Sequence, residues 1–286
     1  MVSTGFDGTI RKWNLKNFQM EAIFEERNTQ GRDKIYQHLA WCLVLPPKGQ
    51  PIDAFANIVA ACTSAGTLKL VDLAKNKILQ TLQVVSNGDF LLSLDWNSAG
   101  HLAIGNTTKT VYIKKFDPVS RSFSDAKNLP LQSPTRCVAW NPMQPHLLAC
   151  GTFDGRIVIY DQERDEITQQ LKSTQSRILC LQWHPHFDYI IAAGSFDNIV
   201  RVLDIKMEGF KELTFHTDRV RSLMWSTEIP WMLTSGADDS RQAVWDIRSR
   251  VMIYSTEEPS LALTSFTLHP ERPFTYYSSH FDASII

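Results

Sequence analysis

The chain has 286 residues, 43% of them hydrophobic and 21% charged, and a formal net charge of -1. It is too apolar to be disordered and too evenly charged for bulk attraction to nucleic acid or an anionic membrane. No apolar run approaches the roughly 18 residues that span a bilayer. The opening MVSTGFDGTIRKW has a glycine turn and two basic residues where a secretory leader needs an apolar core. The five cysteines, at 42, 62, 137, 150 and 180, form no CxxC pair, so a soluble, cytoplasmic protein without disulfides or structural zinc is expected.

In chain order, the predicted elements are short strands. Val2 to Gly5 reads as the second strand of a repeat unit, followed by a turn at Asp7 and a strand ending at Trp13. Polar segments at Glu25 to Lys34 and Lys48 to Ala54 read as loops. From there a repeat of about 43 residues organises the chain. Trp96, Trp140, Trp183, Trp225 and Leu268 follow one another at intervals of 44, 43, 42 and 43 residues. Three residues before each stands a small side chain: Ser93, Cys137, Cys180, Ser222 and Ser265. In HLAWCLVLPP either Leu45 or Trp41 can hold the repeat position. Leu45 is preferred, because it sets Cys42 and Pro47 in register with the other units.

A second marker lies in TGFDGTIRKWN, GTFDGRIVIYD, GSFDNIVRVLD and GADDSRQAVWD, where Asp7, Asp154, Asp197 and Asp239 stand six residues before Trp13, Tyr160, Leu203 and Trp245. Ala65 and Thr108 replace the aspartate in two weaker copies, and Asp282 continues the series. Runs such as ILCLQW, YIIAAG and IVRVLDI are β-branched or aliphatic, bounded by turn formers and without helical spacing. About four antiparallel strands per unit is the arithmetic of a β-propeller blade.

On these motifs the chain resembles the WD-repeat β-propeller family. The Trp-Asp dipeptide is literal at Trp245-Asp246 and relaxed at Trp13-Asn14, Val71-Asp72, Tyr160-Asp161 and Leu203-Asp204. The phrases VRSLMWSTEIPWMLTSGADD and LHPERPFTYYSSHFDASI resemble one member of the family more narrowly. The resemblance implies an all-β fold in a single propeller over 1–286. Counting the repeats gives seven blade positions, the first and last incomplete; the alternative is that the strands at the two ends share one composite blade, giving six. The blades are expected at 1–24 (partial), 35–84, 88–127, 134–173, 176–215, 218–258 and 261–286 (partial). Such a chain reads as a piece of a longer protein with exposed strand edges, which predicts poor solubility or self-association.

The resemblance also assigns a structural hydrogen-bond set to the sixth unit: His216, Ser235, Asp239 and Trp245. The same residues could be read as a hydrolase triad, but the tryptophan and the repeat register account for them, and no serine stands at a strand-to-helix elbow. There is no phosphate-binding glycine motif and no HExxH. His184 and His186 are a weak metal pair, better explained as a turn. The sequon at Asn106 reads as a polar turn. No metal, cofactor or enzymatic activity is expected.

The residues singled out for binding precede the aspartate marker, at Phe6, Phe153, Phe196 and Phe281, or open the first strand of a unit, at Arg136, Arg177, Arg219 and Arg221. The resemblance puts both sets on the top face of a propeller. Arginine and aromatic side chains are the types enriched at interface hot spots. The expected partner is another protein, offering an acidic or phosphorylated peptide segment to a scaffold in a cytoplasmic complex. The alternative is a phosphorylated ligand or nucleic acid held by the arginines.

Overall fold

Runs of β-branched and aliphatic residues, interrupted by Gly, Asp, Asn and Pro, form antiparallel strands throughout a computed structural model. It describes residues 2–4, 9–14, 17, 19–25, 36–41, 57–86, 88–207, 209–257, 263–268 and 276–280. The first sheet holds β1 (Val2–Thr4), β2 (Thr9–Trp13) and β3 (Met20–Glu25). The second holds β4 (Tyr36–Trp41), β5 (Ile58–Thr63), β6 (Thr67–Asp72) and β7 (Lys77–Gln83). The third holds β8 (Leu91–Trp96), β9 (His101–Asn106), β10 (Thr110–Asp117) and β11 (Ser122–Pro130). The fourth holds β12 (Thr135–Trp140), β13 (Leu147–Thr152), β14 (Arg156–Asp161) and β15 (Glu166–Lys172). The fifth holds β16 (Ile178–Trp183), β17 (Ile190–Ser195), β18 (Ile199–Asp204) and β19 (Gly209–Thr214). The sixth holds β20 (Val220–Trp225), β21 (Met232–Ala237), β22 (Arg241–Asp246) and β23 (Val251–Glu257). β24 (Leu263–Leu268) and β25 (Tyr276–His280) pair with each other.

The fold is therefore all-β, of WD-repeat β-propeller type. The blade count departs from the seven expected. Among the described residues five sheets have four strands each, the first has three and the last two. The described strands thus amount to six blades rather than seven. By compactness the chain divides into two units, Met1–Val138 and Ala139–Ile286.

Within each unit the middle strands are covered on both faces. β5 and β6 are buried at every position, whereas β15, at the edge of its sheet, alternates between exposed and half-buried residues. In the first unit Leu68, Leu70, Leu91, Leu102, Ile104 and Trp96 share one core. Trp96 meets Phe116 edge-on at 5.6 Å and Phe123 at 5.4 Å. In the second unit Val200, Leu213, Val220, Trp225, Leu233 and Trp245 form the corresponding core.

The tryptophan spacing has a physical cause. The indole N–H of Trp183 donates to the Ala139 carbonyl at 2.9 Å, and that of Trp225 to the Gln182 carbonyl at 3.2 Å. Each ties the first strand of one sheet to the first strand of the sheet before it. The small residue three positions earlier faces a glycine of the second strand, as in Ser93↔Gly105, Cys180↔Gly194 and Ser222↔Gly236. By this register the preference for Leu45 is wrong. Trp41 pairs with Val59 as Trp225 pairs with Leu233, and His38, opposite Cys62, takes the small-residue position in place of Cys42. The long connection after Trp41 brought Pro47 into a false alignment.

The aspartate of the Trp-Asp dipeptide also has a local task. Asp72, Asp161 and Asp204 each accept two backbone N–H groups of the turn that follows, at 2.9–3.2 Å, and Asp246 accepts the N–H of Arg248 at 2.9 Å. These are Asx-type turns. Asn106 is likewise consumed: its amide donates to the Thr110 carbonyl and accepts the Thr108 N–H, both at 2.7 Å, with no exposed surface. The sequon is a buried turn, closed to glycosylation.

Gly194 is required by close approach, since a methyl group there would lie 2.5 Å from Cys180 Sγ and 2.6 Å from Val220 Cγ1. Gly194→Ala is expected to cost about 1–3 kcal/mol by overpacking, measured by urea unfolding. Gly209→Ala, whose nearest neighbour would be 3.9 Å away, should stay within about 0.5 kcal/mol of the parent.

Candidate protein-binding face

In an antiparallel four-stranded sheet the turn between the second and third strands and the exit of the fourth lie at the same end. At this end of the second unit the turn following the aspartate marker needs a left-handed residue. It is Gly155 (φ 78°), Asn198 (φ 70°) or Ser240 (φ 63°). At Gly155 a Cβ would also collide with the carbonyls of Thr174 and Ser176.

The aspartates before these residues are partly buried, so their oxygens must be satisfied. In the sixth sheet the chain of donors is directional. Trp245 Nε1 donates to Ser235 Oγ at 2.8 Å, Ser235 to His216 Nε2 at 2.8 Å, and His216 Nδ1 to Asp239 at 3.1 Å. Asp239 also accepts the backbone N–H groups of Thr217 and Arg241, at 2.8 and 3.0 Å. The four residues expected to form a set are thus brought together. This is the order of a hydrolase triad, but Ser235 is fully buried and His216 nearly so. The hydroxyl has no approach for a substrate.

Elsewhere the set is rebuilt from other side chains. Ser235 and Ser3 stand four residues before Asp239 and Asp7, and each accepts an indole N–H, from Trp245 and Trp13, at 2.8 Å. Where Tyr160 and Leu203 replace the tryptophan, Cys150 and Ala193 replace the serine. A hydroxyl two residues before the aspartate then takes over, as Thr152 Oγ1 to Asp154 at 2.6 Å and Ser195 to Asp197. Asp197 also receives Thr174 Oγ1 at 2.5 Å and the guanidinium of Arg201 at 2.9 Å. Arg201 is 5% exposed and also binds Glu212 at 2.9 Å. Sequence reading missed it. The available signal was an arginine within IVRVLD, where a covered strand has no place for a charge without a carboxylate nearby.

Phe153 and Phe196 sit beside these aspartates, each stacked with an arginine that opens the next sheet. The Arg177 guanidinium lies 4.9 Å from the Phe153 ring centre and that of Arg219 lies 4.3 Å from the Phe196 ring. Phe196 is 41% exposed and Arg177 is exposed. Arg219 has a loose ion pair with Asp218 at 3.7 Å. The other two arginines are engaged internally. Arg221 grips Asp238 through two bonds of 2.5 and 2.7 Å, and Arg136, in the first unit, donates to the Leu92 carbonyl at 3.0 Å. Phe6 and Phe281 lie outside the described residues.

His184 is a buried turn former. Its Nδ1 accepts the N–H groups of His186 and Phe187 at 2.9 and 3.1 Å, and its Nε2 donates to the Pro230 carbonyl at 2.5 Å. Burial lowers its pKa despite the bond to Pro230. Asn141 and Ser226 accept the same pair of turn N–H groups in the neighbouring sheets. Among the described residues no cluster of three His, Cys, Asp or Glu could hold a metal. Burial pushes the Cys150 thiol up to about 12, which leaves it unreactive.

Burial alone would raise the Asp197 carboxyl, but the bonds from Arg201, Ser195 and Thr174 hold it down at about 2. Asp239 is likewise held below the usual range, its burial outweighed by His216 and the turn N–H groups. The folded chain therefore binds fewer protons here than the unfolded chain. Stability from both groups is present above about pH 4, the range of a free carboxyl, and is lost as pH falls through their lowered folded values, about 2 for Asp197. Urea unfolding between pH 2.5 and 7 should show this acid limb. Asp197→Asn should lower stability by about 1–3 kcal/mol at neutral pH and flatten the limb.

Comparison with known proteins agrees at the level of fold. The model of the anaphase-promoting complex subunit 4 WD40 domain matches residues 99–186. The chain is 24% identical to Protein transport protein Sec31A of Danio rerio over 204 residues, 68% of this chain and 16% of that protein. It is 21% identical to Protein transport protein SEC31 of Ajellomyces capsulatus over 247 residues, 82% of this chain and 19% of that protein. The chain thus spans less than a fifth of the relatives it matches. The narrower likeness of 220–239 and 268–285 to WD-repeat-containing protein 17 finds no support among these matches. Together the matches and the repeated sheets support a WD-repeat β-propeller fold.

Proposed function

We propose that the chain is a non-enzymatic scaffold module of a cytoplasmic assembly, a single propeller domain over 1–286 that holds an acidic or phosphorylated peptide segment on the aspartate-turn face of its second unit. The observation that carries this reading is the repeated pair Phe153–Arg177 and Phe196–Arg219. Each presents a guanidinium backed by an aromatic ring, a combination that gives contact area and directional bonding to an anion. Phe6 and Phe281 belong to the same proposed set by repeat position. Arg136 and Arg221 are assigned supporting roles, since their donors are spent within the protein.

The opposite end of the second unit also stacks cations on aromatic rings, Lys206 on Tyr189 at 4.2 Å and Arg248 on Trp231 at 4.0 Å. There Asp188 and Asp246 neutralise the cations, which favours the aspartate-turn face for an anionic ligand. Two guanidiniums on a chain of net charge -1 suit a short peptide better than a nucleic acid, whose binding rests on many phosphate contacts. The relatives named as protein transport proteins support a scaffold used in protein transport.

An immobilised array of acidic and phosphorylated peptides tests this. The chain should retain a subset, and Arg177→Glu combined with Arg219→Glu should weaken retention at least about tenfold, the loss of a charge-assisted contact, with the unfolding midpoint unchanged. Equal retention by parent and double variant would contradict the assignment.

A further inference from the structure

The fourth strands of the four-stranded sheets lie at sheet edges, where unpaired backbone groups invite another strand. β11, β15 and β19 each carry two charges of opposite sign, whereas β7 carries only Lys77 at its start and β23 only Glu257 at its end. β7 reads KILQTLQ, β11 SFSDAKNLP, β15 EITQQLK and β19 GFKELT. β23 reads VMIYSTE and carries no charge from Val251 to Thr256. Val251, Ile253 and Tyr254 are 55%, 59% and 59% exposed, while Met252 packs into the core.

The register makes the contrast sharper. Val244 pairs with Tyr254 and Trp245 with Met252, so Ile253 is the extra residue of a bulge. The same bulge falls on Leu79 in β7 and Thr168 in β15, so it belongs to the repeat, and only the side chains differ. The position of Tyr254 is held by Gln80 and Gln169 in those strands. Gln80 bonds the backbone of Phe123, and Gln169 that of Ile205, each in the next sheet. Tyr254 has no amide with which to do so.

Charges of opposite sign stand at its two ends, Arg250 just before it and Glu257 at its close. An antiparallel partner of the same sequence would bring the basic end of each copy beside the acidic end of the other. A two-fold axis perpendicular to the sheet and centred near Ile253 does this while keeping like faces together. We propose that β23 pairs antiparallel with β23 of a second copy of this chain, joining two sheets into one eight-stranded sheet. Ile253 and Tyr254 then form cross-strand contacts at the axis.

Sedimentation equilibrium on the whole chain, from 1 to 100 µM (roughly the range of a modest dimer), tests it with three variants. The parent and Thr168→Lys, the same change at the equivalent position of β15, should dimerise with equal affinity. Ile253→Lys should weaken the dimer at least about tenfold, a change of about 1.4 kcal/mol, with an unchanged melting midpoint. If that variant proves poorly folded, Ile253→Thr, which copies Thr168, replaces it with the same expected direction. A parent that stays monomeric overturns the proposal, as it would if another part of the same chain covered β23. So does self-association that Ile253→Lys and Ile253→Thr leave unchanged, which would place the contact elsewhere, such as at the incomplete first and last sheets.

Discussion

Everything in this architecture follows from sheets whose middle strands are apolar on both faces. A lone four-stranded sheet of this kind would leave one or both faces in water, so each must be stacked on the next. That requirement explains the period of about 43 residues, one blade of chain. It also explains the tryptophans at that period, whose indole N–H groups reach the preceding sheet from Trp183 and Trp225. Gly194 serves the same constraint, keeping the space that Cys180 and Val220 fill.

Stacking buries the ends of the strands as well, and the polar groups there have to be satisfied. At the aspartate turns this is done by different side chains in successive sheets: histidine, serine and tryptophan around Asp239, threonine, serine and arginine around Asp197. The result in each case is a turn closed by a left-handed residue. At Asp197 the residue before the aspartate, Phe196, projects outward, and the arginine that opens the following sheet packs over it. The network that stabilises the turn therefore also sets the geometry of the face proposed to bind a partner.

Much of this was legible in the residues. The recurrence of aspartate six positions before an aromatic, and of a small residue three before a tryptophan, specified the strands and their order. Register failed where the spacing was irregular: a long connection after Trp41 allowed Pro47 to suggest the wrong alignment, which backbone pairing with Val59 corrects. The blade number failed for a similar reason, since the repeat was counted through both ends, whereas strands are what fill a blade. Pairings between strands were harder to read. Nothing local to Arg221 or Arg136 shows that their guanidiniums are spent on Asp238 and on the Leu92 carbonyl. Arg201 was missed although Asp197 stands only four residues before it; its second partner, Glu212, is brought beside it by the pairing of neighbouring strands.

The central claim is that the turns holding the sheets together are also the binding face. Hydrogen–deuterium exchange of the chain with and without an acidic peptide selected from an array tests it most directly. The account predicts added protection at 152–155, 176–178, 195–198 and 217–219. Protection confined to the opposite end, at 141–146, 184–189 and 226–231, would contradict it.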